Sequence, residues 1–131
     1  MNQTPLNTIL YVEDDPDIQA VACIALETVG GFTLRACSSG REALDAAAAG
    51  FAPDLLLLDV MMPGMDGPTT LDGLRRLTPT AGTPAVFMTA KVQASEIAYF
   101  KSLGALGVIA KPFDPMLLAE QVRQLWERRD V

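Results

Sequence analysis

Five short apolar runs, each followed by a segment with helical spacing, constrain the fold of this chain more than any other feature. Strands that alternate with helices are typical of a parallel sheet with helices on both faces. Runs that are apolar at successive positions, as at 9–12 and 55–58, are expected of central strands. The sequence therefore predicts an α/β fold with a doubly wound, five-stranded parallel sheet. The predicted strands span residues 8–12, 32–36, 55–58, 85–88 and 106–110.

The first helix is predicted to begin at Asp15-Pro16, because aspartate is a favoured residue for capping the N-terminus of a helix. Apolar residues then recur at helical offsets until Gly30 and Gly31 end the pattern. We expect this apolar face to pack on the sheet. Its predicted members are Ile18, Val21, Ala22, Ala25 and Val29.

Local signals also place the other helices. Ser39 and Glu42 have capping-box spacing for a helix that ends at Gly50, and Asp114 is predicted to cap the last helix, with Pro115 in its first turn. The third helix follows Pro68 and the fourth spans about 95–103, with Gly104 after it. The predicted inward residues are Leu71, Leu74 and Leu77 in the third helix, Ile97 and Phe100 in the fourth, and Leu118, Val122, Leu125 and Trp126 in the fifth.

Length and charge narrow the class of protein. With 131 residues, we expect one domain over 1–131 with its core at about 8–129. The net charge of −6 disfavours direct binding of nucleic acid or of an anionic membrane. No apolar stretch approaches the roughly 20 residues of a membrane span, and no secretory signal is present. We therefore expect no membrane insertion and a cytoplasmic location.

Histidine is absent, and Cys23 and Cys37 are the two cysteines. The chain thus lacks the usual imidazole base and the commonest transition-metal ligand. Neither cysteine has a partner at zinc-site spacing, and we expect both to be reduced. Chemistry in this chain has to rely on carboxylates, hydroxyls and lysine.

Polar and charged residues follow four of the predicted strands. Because parallel strands present their carboxyl ends at one edge of the sheet, these residues are expected to converge. Three neighbouring carboxylates repel one another unless a cation compensates, and Mg²⁺ prefers such oxygen ligands, with Mn²⁺ as a substitute. Each residue alone has an ordinary explanation as a turn or cap, but their joint placement indicates a phosphoryl-transfer site. The converging residues are Glu13, Asp14, Asp59, Thr89 and Lys111.

Over essentially its whole length, the chain resembles the receiver domains of two-component response regulators. The motifs that carry the resemblance are Val12-Glu13-Asp14-Asp15, residues 58–67, Met88-Thr89-Ala90 and Lys111-Pro112-Phe113. The resemblance implies a flavodoxin-like (βα)5 fold with strand order 2-1-3-4-5. It also implies a domain that is not a conventional enzyme but promotes its own phosphorylation and dephosphorylation.

The resemblance further implies the role of each site residue. Asp59 would be the phosphoacceptor, with a histidine kinase or histidine phosphotransfer protein as donor. Asp14, Asp59 and the Met61 carbonyl would hold Mg²⁺, and Glu13 would act through a metal-bound water. Thr89 would hydrogen-bond the phosphoryl group and Lys111 would pair with it. The peptide before Pro112 is typically cis in this family.

Signal output is expected at the fourth helix, fifth strand and fifth helix, toward a downstream protein. Many family members carry an aromatic switch residue where this chain has Val108. We therefore expect output through movement of the fourth helix, with Tyr99 or Phe100 repacking. Met61 and Lys91 hold positions that flank the route of the hydrolytic water, and the bulk of Met61 predicts slow loss of phosphate.

Three other functions compete with this interpretation. An aspartate-nucleophile phosphatase would share the acidic strand ends, but it normally carries an Asp-x-Asp motif after the first strand. A receiver-like binding module that is never phosphorylated would not need Asp59, Thr89 and Lys111 intact. A nucleotide-binding flavodoxin-like protein is weaker, because no glycine-rich phosphate loop occurs. The sequence leaves open whether the chain is a stand-alone regulator or part of a longer protein.

Overall fold

The structure, a computed structural model, describes residues 4–129 and contains one five-stranded parallel sheet. The strand order is β2-β1-β3-β4-β5, as the resemblance implied. Right-handed crossovers of this kind leave the carboxyl ends of all strands at one edge. The strands are β1 (Thr8–Val12), β2 (Thr33–Cys37), β3 (Leu55–Asp59), β4 (Ala85–Thr89) and β5 (Ala105–Ala110).

Helices connect the strands and cover both faces of the sheet. The first helix continues into a π-helical segment at Ile24–Val29, and a short 3₁₀ turn lies at Thr78–Thr80. Within the described part of the chain, no helix is both long and apolar enough to cross a membrane. The helices are α1 (Pro16–Cys23), α2 (Gly40–Ala48), α3 (Gly67–Arg75), α4 (Ala94–Ser102) and α5 (Leu118–Glu127).

The sheet separates two apolar cores. Every residue of β3 and β4 is buried, as expected of central parallel strands. Tyr11 and Leu57 belong to the core under α1 and α5, whereas Leu58 and Phe87 belong to the core under the other helices. Alternate residues of each strand therefore face opposite cores, and Asp59 lies on the same side of β3 as Leu57.

The predicted inward face of the first helix was partly wrong. Val21 and Val29 are 43% and 47% exposed, and the buried residues are Ala22, Ala25 and Leu26. The chain adopts the i→i+5 hydrogen bonding of a π-helix after Cys23, with the Gly30 amide 3.0 Å from the Ala25 oxygen. This wider spacing rotates Val29 away from the position that a regular α-helix would give it. Val21 lies in the α-helical part before this segment, where Ala22 is the buried residue.

The predicted cap of the last helix was also wrong. The Asp114 carboxylate accepts a hydrogen bond from the Met116 amide at 2.9 Å, which closes a turn, and α5 begins only at Leu118. The other caps are confirmed, since Asp15 caps α1 and Ser39 accepts from the Glu42 amide at 3.1 Å.

Strand ends differ by one residue from the predictions in β2 to β5. The residues gained are Cys37, Asp59, Thr89 and Ala105, and Phe32 precedes its strand.

Candidate functional site

Three acidic side chains converge at the carboxyl edge of the sheet. Glu13 and Asp14 follow β1 directly, and Asp59 is the last residue of the neighbouring β3. One carboxylate oxygen from each lies within 4.8 Å of the others. The predicted convergence of these three residues is therefore confirmed.

Lys111 joins two of these acids across the sheet. Its Nζ atom donates to Asp59 Oδ1 at 2.8 Å and to Glu13 Oε1 at 3.0 Å. Glu13 is 1% exposed and Asp59 is 2% exposed, so both ion pairs lie largely away from water. Because buried ion pairs are held in fixed geometry by their surroundings, Lys111 fixes the orientation of the Asp59 carboxylate.

The two oxygens of Asp59 differ in their surroundings. Asp59 Oδ2 is buried and has no hydrogen-bond partner among residues 4–129. Both oxygens of Glu13 are engaged, since Oε2 accepts from the Asp15 amide at 3.1 Å. A buried, unpaired carboxylate oxygen is costly unless another group binds it. The three carboxylates thus fit a hard divalent cation such as Mg²⁺.

Burial is the main cause of the pKa shifts of the two acids. Burial raises the pKa of Asp59, and nearby Asp14 raises it further, although Lys111 acts in the opposite direction. Burial likewise raises the pKa of Glu13 despite its bond to Lys111. Burial alone would lower the pKa of Lys111, but its hydrogen bonds to Asp59 and Glu13 outweigh burial and raise it. A bound cation would relieve the repulsion among the acids.

Thr89 lies at the same edge, as the last residue of β4. It is 4% exposed, and its hydroxyl oxygen accepts from the Lys91 amide at 3.1 Å. Its carbonyl accepts from the Lys111 amide at 2.9 Å, which ties the ends of β4 and β5 together. Met61, two residues after Asp59, is 71% exposed. Thr89 therefore ends the strand next to that of Asp59, and Met61 lies in the loop that follows Asp59.

One polar residue beside this cluster was not predicted from the sequence. Gln19 in α1 donates from its amide nitrogen to the Glu13 carbonyl at 3.0 Å and to the Cys37 carbonyl at 3.1 Å. The only sequence signal was a polar residue one turn after the Asp15 cap, next to an apolar stripe. Which atoms its amide reaches depends on β2 lying beside β1, and this neighbour relation is tertiary.

An apolar cleft of about 280 Å³ opens beside Lys111. It lies between α1 and the loop that leads into α5. The Lys111-Pro112 peptide in its wall is cis, as the resemblance implied. The cleft gives the acidic site an apolar rim on one side. Its lining residues are Asp17, Ile18, Val21, Lys111, Pro112 and Phe113.

Fold and site together define a flavodoxin-like α/β protein whose chemistry lies at the carboxyl edge of its strands. The family model described as "Response regulator receiver domain" matches residues 9–123. The chain therefore belongs to the response regulator receiver domains of two-component systems. Members of this family typically bind Mg²⁺, which agrees with the acidic cluster.

Individual relatives agree with this assignment. The DNA-binding response regulator MtrA of Mycolicibacterium smegmatis is 36% identical over 122 residues, which cover 93% of this chain and 51% of that protein. The transcriptional regulatory protein CseB of Streptomyces avermitilis is 33% identical over 120 residues, covering 92% and 49%. The chain thus spans about half the length of the curated relatives it matches.

Solved structures share the fold over nearly their whole length. The chemotaxis response regulator CheY4 of Vibrio cholerae superposes with a TM-score of 0.81 at 28% identity, covering 92% of this chain and 98% of that one. The receiver domain of Francisella response regulator 1452 gives a TM-score of 0.80 at 25% identity, covering 93% and 98%.

Proposed function

We propose that this chain is a phosphoacceptor receiver domain that takes a phosphoryl group onto Asp59. The observation that carries the proposal is the state of the Asp59 carboxylate. Oδ1 is held by Lys111 at 2.8 Å, while the buried Oδ2 is unpaired within the described residues. The carboxylate is therefore oriented through Oδ1, while Oδ2 is not engaged by another side chain of residues 4–129, as expected of a group that acts as a nucleophile.

In this proposal the donor is a phosphohistidine, and it belongs to another protein because this chain has no histidine. A carboxylate oxygen of Asp59 attacks the phosphorus atom, the new P–O bond forms and the P–N bond to the donor imidazole breaks. The imidazole leaves with the electron pair and takes up a proton. The partner class is thus a histidine kinase or a histidine phosphotransfer protein.

Positive charge and hydrogen-bond donors stabilise the transferred group. The Lys111 ammonium, already 2.8 Å from Asp59, pairs with a phosphoryl oxygen, and the Thr89 hydroxyl donates to another. Asp14, Asp59 and the Met61 carbonyl would hold Mg²⁺, or Mn²⁺ in its place. Glu13 would contribute through a water, since both of its oxygens are engaged. The bound ion would neutralise charge on the phosphoryl oxygens.

In this proposal, the conformational change caused by phosphorylation passes from Thr89 to α4. A Thr89 hydroxyl drawn toward the phosphoryl group gives up its bond with the Lys91 amide, which frees the loop before α4. Two residues earlier on β4, Phe87 packs on Phe100 of α4 at a centroid distance of 5.0 Å and is the register partner of Val108. The face formed by α4, β5 and α5 then contacts the downstream protein.

Intact mass after incubation with acetyl phosphate and Mg²⁺ tests the proposal. We expect one added phosphoryl group on the native chain and none on Asp59→Asn. The same reaction in EDTA should give little product, because the metal is required. A native chain that gains no phosphoryl group would instead support a phosphorylation-independent binding module. Sustained release of phosphate from an aryl phosphate would support the phosphatase alternative.

A further inference from the structure

The side-chain amide of Gln19 ties together two loops at the acidic site. Its nitrogen lies 3.0 Å from the Glu13 carbonyl, 3.1 Å from the Cys37 carbonyl and 3.4 Å from the Ser38 hydroxyl oxygen. Carbonyl oxygens only accept hydrogen bonds, so the NH₂ end of the amide has to face them. Two N–H bonds are thus directed at backbone carbonyls, one in the loop after β1 and one in the last residue of β2.

These bonds enclose the short loop that carries Glu13 and Asp14. The Glu13 amide donates to the Cys37 carbonyl at 3.0 Å, which extends the β1–β2 ladder beyond β1. On the far side, Asp15 caps α1 and its amide donates to Glu13 Oε2. The Gln19 amide nitrogen closes the remaining side, at the Glu13 carbonyl. The backbone on both sides of Asp14 is therefore fixed.

Fixing this loop matters because its two acids face a third. Oxygens of Glu13, Asp14 and Asp59 lie within 4.8 Å of one another, and their mutual repulsion favours moving the loop away from β3. β3 is fully buried and does not yield, so any relaxation has to occur in the loop. A tether that resists this movement keeps the carboxylates together before any cation arrives.

We propose that Gln19 is a positioning residue that preorganises the acidic cluster for a divalent cation. This inference rests on the proposed function, because it assigns Gln19 a role at the metal site of the phosphoacceptor. Gln19 contacts no ligand atom itself and acts through the backbone of Glu13. Groups that orient metal ligands in this indirect way have measurable effects on metal affinity.

Mn²⁺ binding, followed by the electron paramagnetic resonance signal of the free ion, tests this role. Gln19→Met keeps the length of the side chain but removes both N–H donors. We expect its Mn²⁺ dissociation constant to rise about threefold to tenfold. Groups that bond directly to a metal ligand typically change affinity by about 10-fold to 100-fold, and Gln19 acts less directly, through the backbone. Gln124→Met is the matched control, because Gln124 is an exposed glutamine in α5, and its affinity should equal that of the native chain.

Each outcome decides the inference. A dissociation constant for folded Gln19→Met within about twofold of the native value overturns it, as does an equal loss in Gln124→Met. Thermal melting establishes that each variant is folded at the assay temperature, and Gln19→Ala replaces Gln19→Met should the latter not fold. If the native chain binds no Mn²⁺, or Asp59→Asn binds it equally well, the proposed metal site fails and this role with it.

Discussion

At the scale of single residues, Lys111 joins groups that are far apart in the sequence. It pairs with Asp59, 52 positions away, and with Glu13, 98 positions away. Its side chain is 19% exposed, whereas those of the two acids are 1–3% exposed. Lys111 therefore supplies positive charge where two buried acids meet, and a bound cation would share this task.

The Lys111→Met substitution should make the free energy of unfolding depend more strongly on Mg²⁺. In EDTA at neutral pH we expect the variant to lose about 1–3 kcal/mol, less than for a fully buried pair because the Lys111 side chain reaches water. Mg²⁺ should restore more stability in the variant than in the native chain, since the ion replaces the missing charge. Urea denaturation with and without Mg²⁺ measures both effects. Lys101→Met, at an exposed position of α4, is the control, and equal losses in both variants would contradict the prediction.

The buried thiol of Cys37 should make the free energy of unfolding depend on pH in the alkaline range. Burial, aided by Glu42, raises the pKa of its thiol from an ordinary value of 9.0 to about 11. The folded state thus holds the proton more tightly than the unfolded state. This contribution to stability is complete below about pH 9 and is lost as pH rises toward about 11, with a magnitude of about 1–2 kcal/mol.

The comparison that isolates Cys37 uses Cys37→Ala. The difference in unfolding free energy between the native chain and this variant should shrink as pH rises through the alkaline range. Urea titrations at several pH values measure this difference, and other titrating groups cancel in it. Two stability curves that stay parallel above about pH 9 would show that the thiol makes no such contribution.

At the scale of elements, the junction of β3 and α3 holds Asp59 in place. The Gly67 amide donates to the Val60 carbonyl at 2.9 Å, and the Val60 amide donates to the Met88 carbonyl at 3.0 Å. The helix therefore begins in direct contact with the strand end that carries Asp59. A Cβ atom at Gly67 would lie 2.6 Å from the Asp59 carbonyl oxygen and 3.0 Å from the Val60 Cα.

Gly67→Ala should push this junction apart. Both atoms it would meet belong to the backbone, so we expect a loss of about 1–3 kcal/mol together with slower phosphorylation of Asp59. Thermal melting and intact mass after acetyl phosphate treatment measure the two effects. Gly82→Ala is the matched control, because a Cβ there meets nothing within 4 Å. A Gly67→Ala protein that matches Gly82→Ala in both assays would refute the prediction.

We expect the Met61 side chain to lengthen the lifetime of the phosphorylated state. This side chain is apolar and 71% exposed, two residues after Asp59, and we expect it to shield the phosphoryl group from water. Met61→Asn should therefore shorten the lifetime several-fold, because a small polar side chain admits and orients water. The decay of the phosphorylated mass after removal of the donor measures it. An unchanged lifetime would contradict the shielding role.

At the scale of the whole molecule, phosphorylation should alter the side of the protein that includes α4 and β5. Phe87, Phe100 and Val108 lie in one core, and Tyr99 packs on Phe100 at a centroid distance of 5.3 Å while remaining 53% exposed. We expect amide NMR shifts over residues 89–111 on phosphorylation, and much smaller shifts in α2. The Asp59→Asn protein under the same conditions is the control. Unchanged shifts over 89–111 would exclude output through α4.

Local sequence signals predicted most elements but not their details. Ser39 caps α2 and Asp15 caps α1 as predicted, since a cap depends only on residues within one turn. The predicted inward face of the first helix was wrong at two positions. The π-helical segment after Cys23 changes the spacing at Val29, and Val21, which precedes that segment, is also exposed. Asp114 closes a turn before α5 and does not cap the helix itself. An aspartate can do either, so its presence in the sequence does not distinguish a turn from a helix cap.

The sequence by itself determined the alternation of strands and helices and the residue types at each strand end. Apolar periodicity and side-chain chemistry are properties of short segments, and they suffice for a doubly wound sheet and for the convergence of Glu13, Asp14, Asp59, Thr89 and Lys111 at one edge. Only the tertiary structure decided that Lys111 bonds two acids, that Asp59 Oδ2 stays unpaired within the described residues and that Gln19 reaches the Glu13 carbonyl. These contacts join segments that share no local pattern, because packing of the strands sets the distances between them.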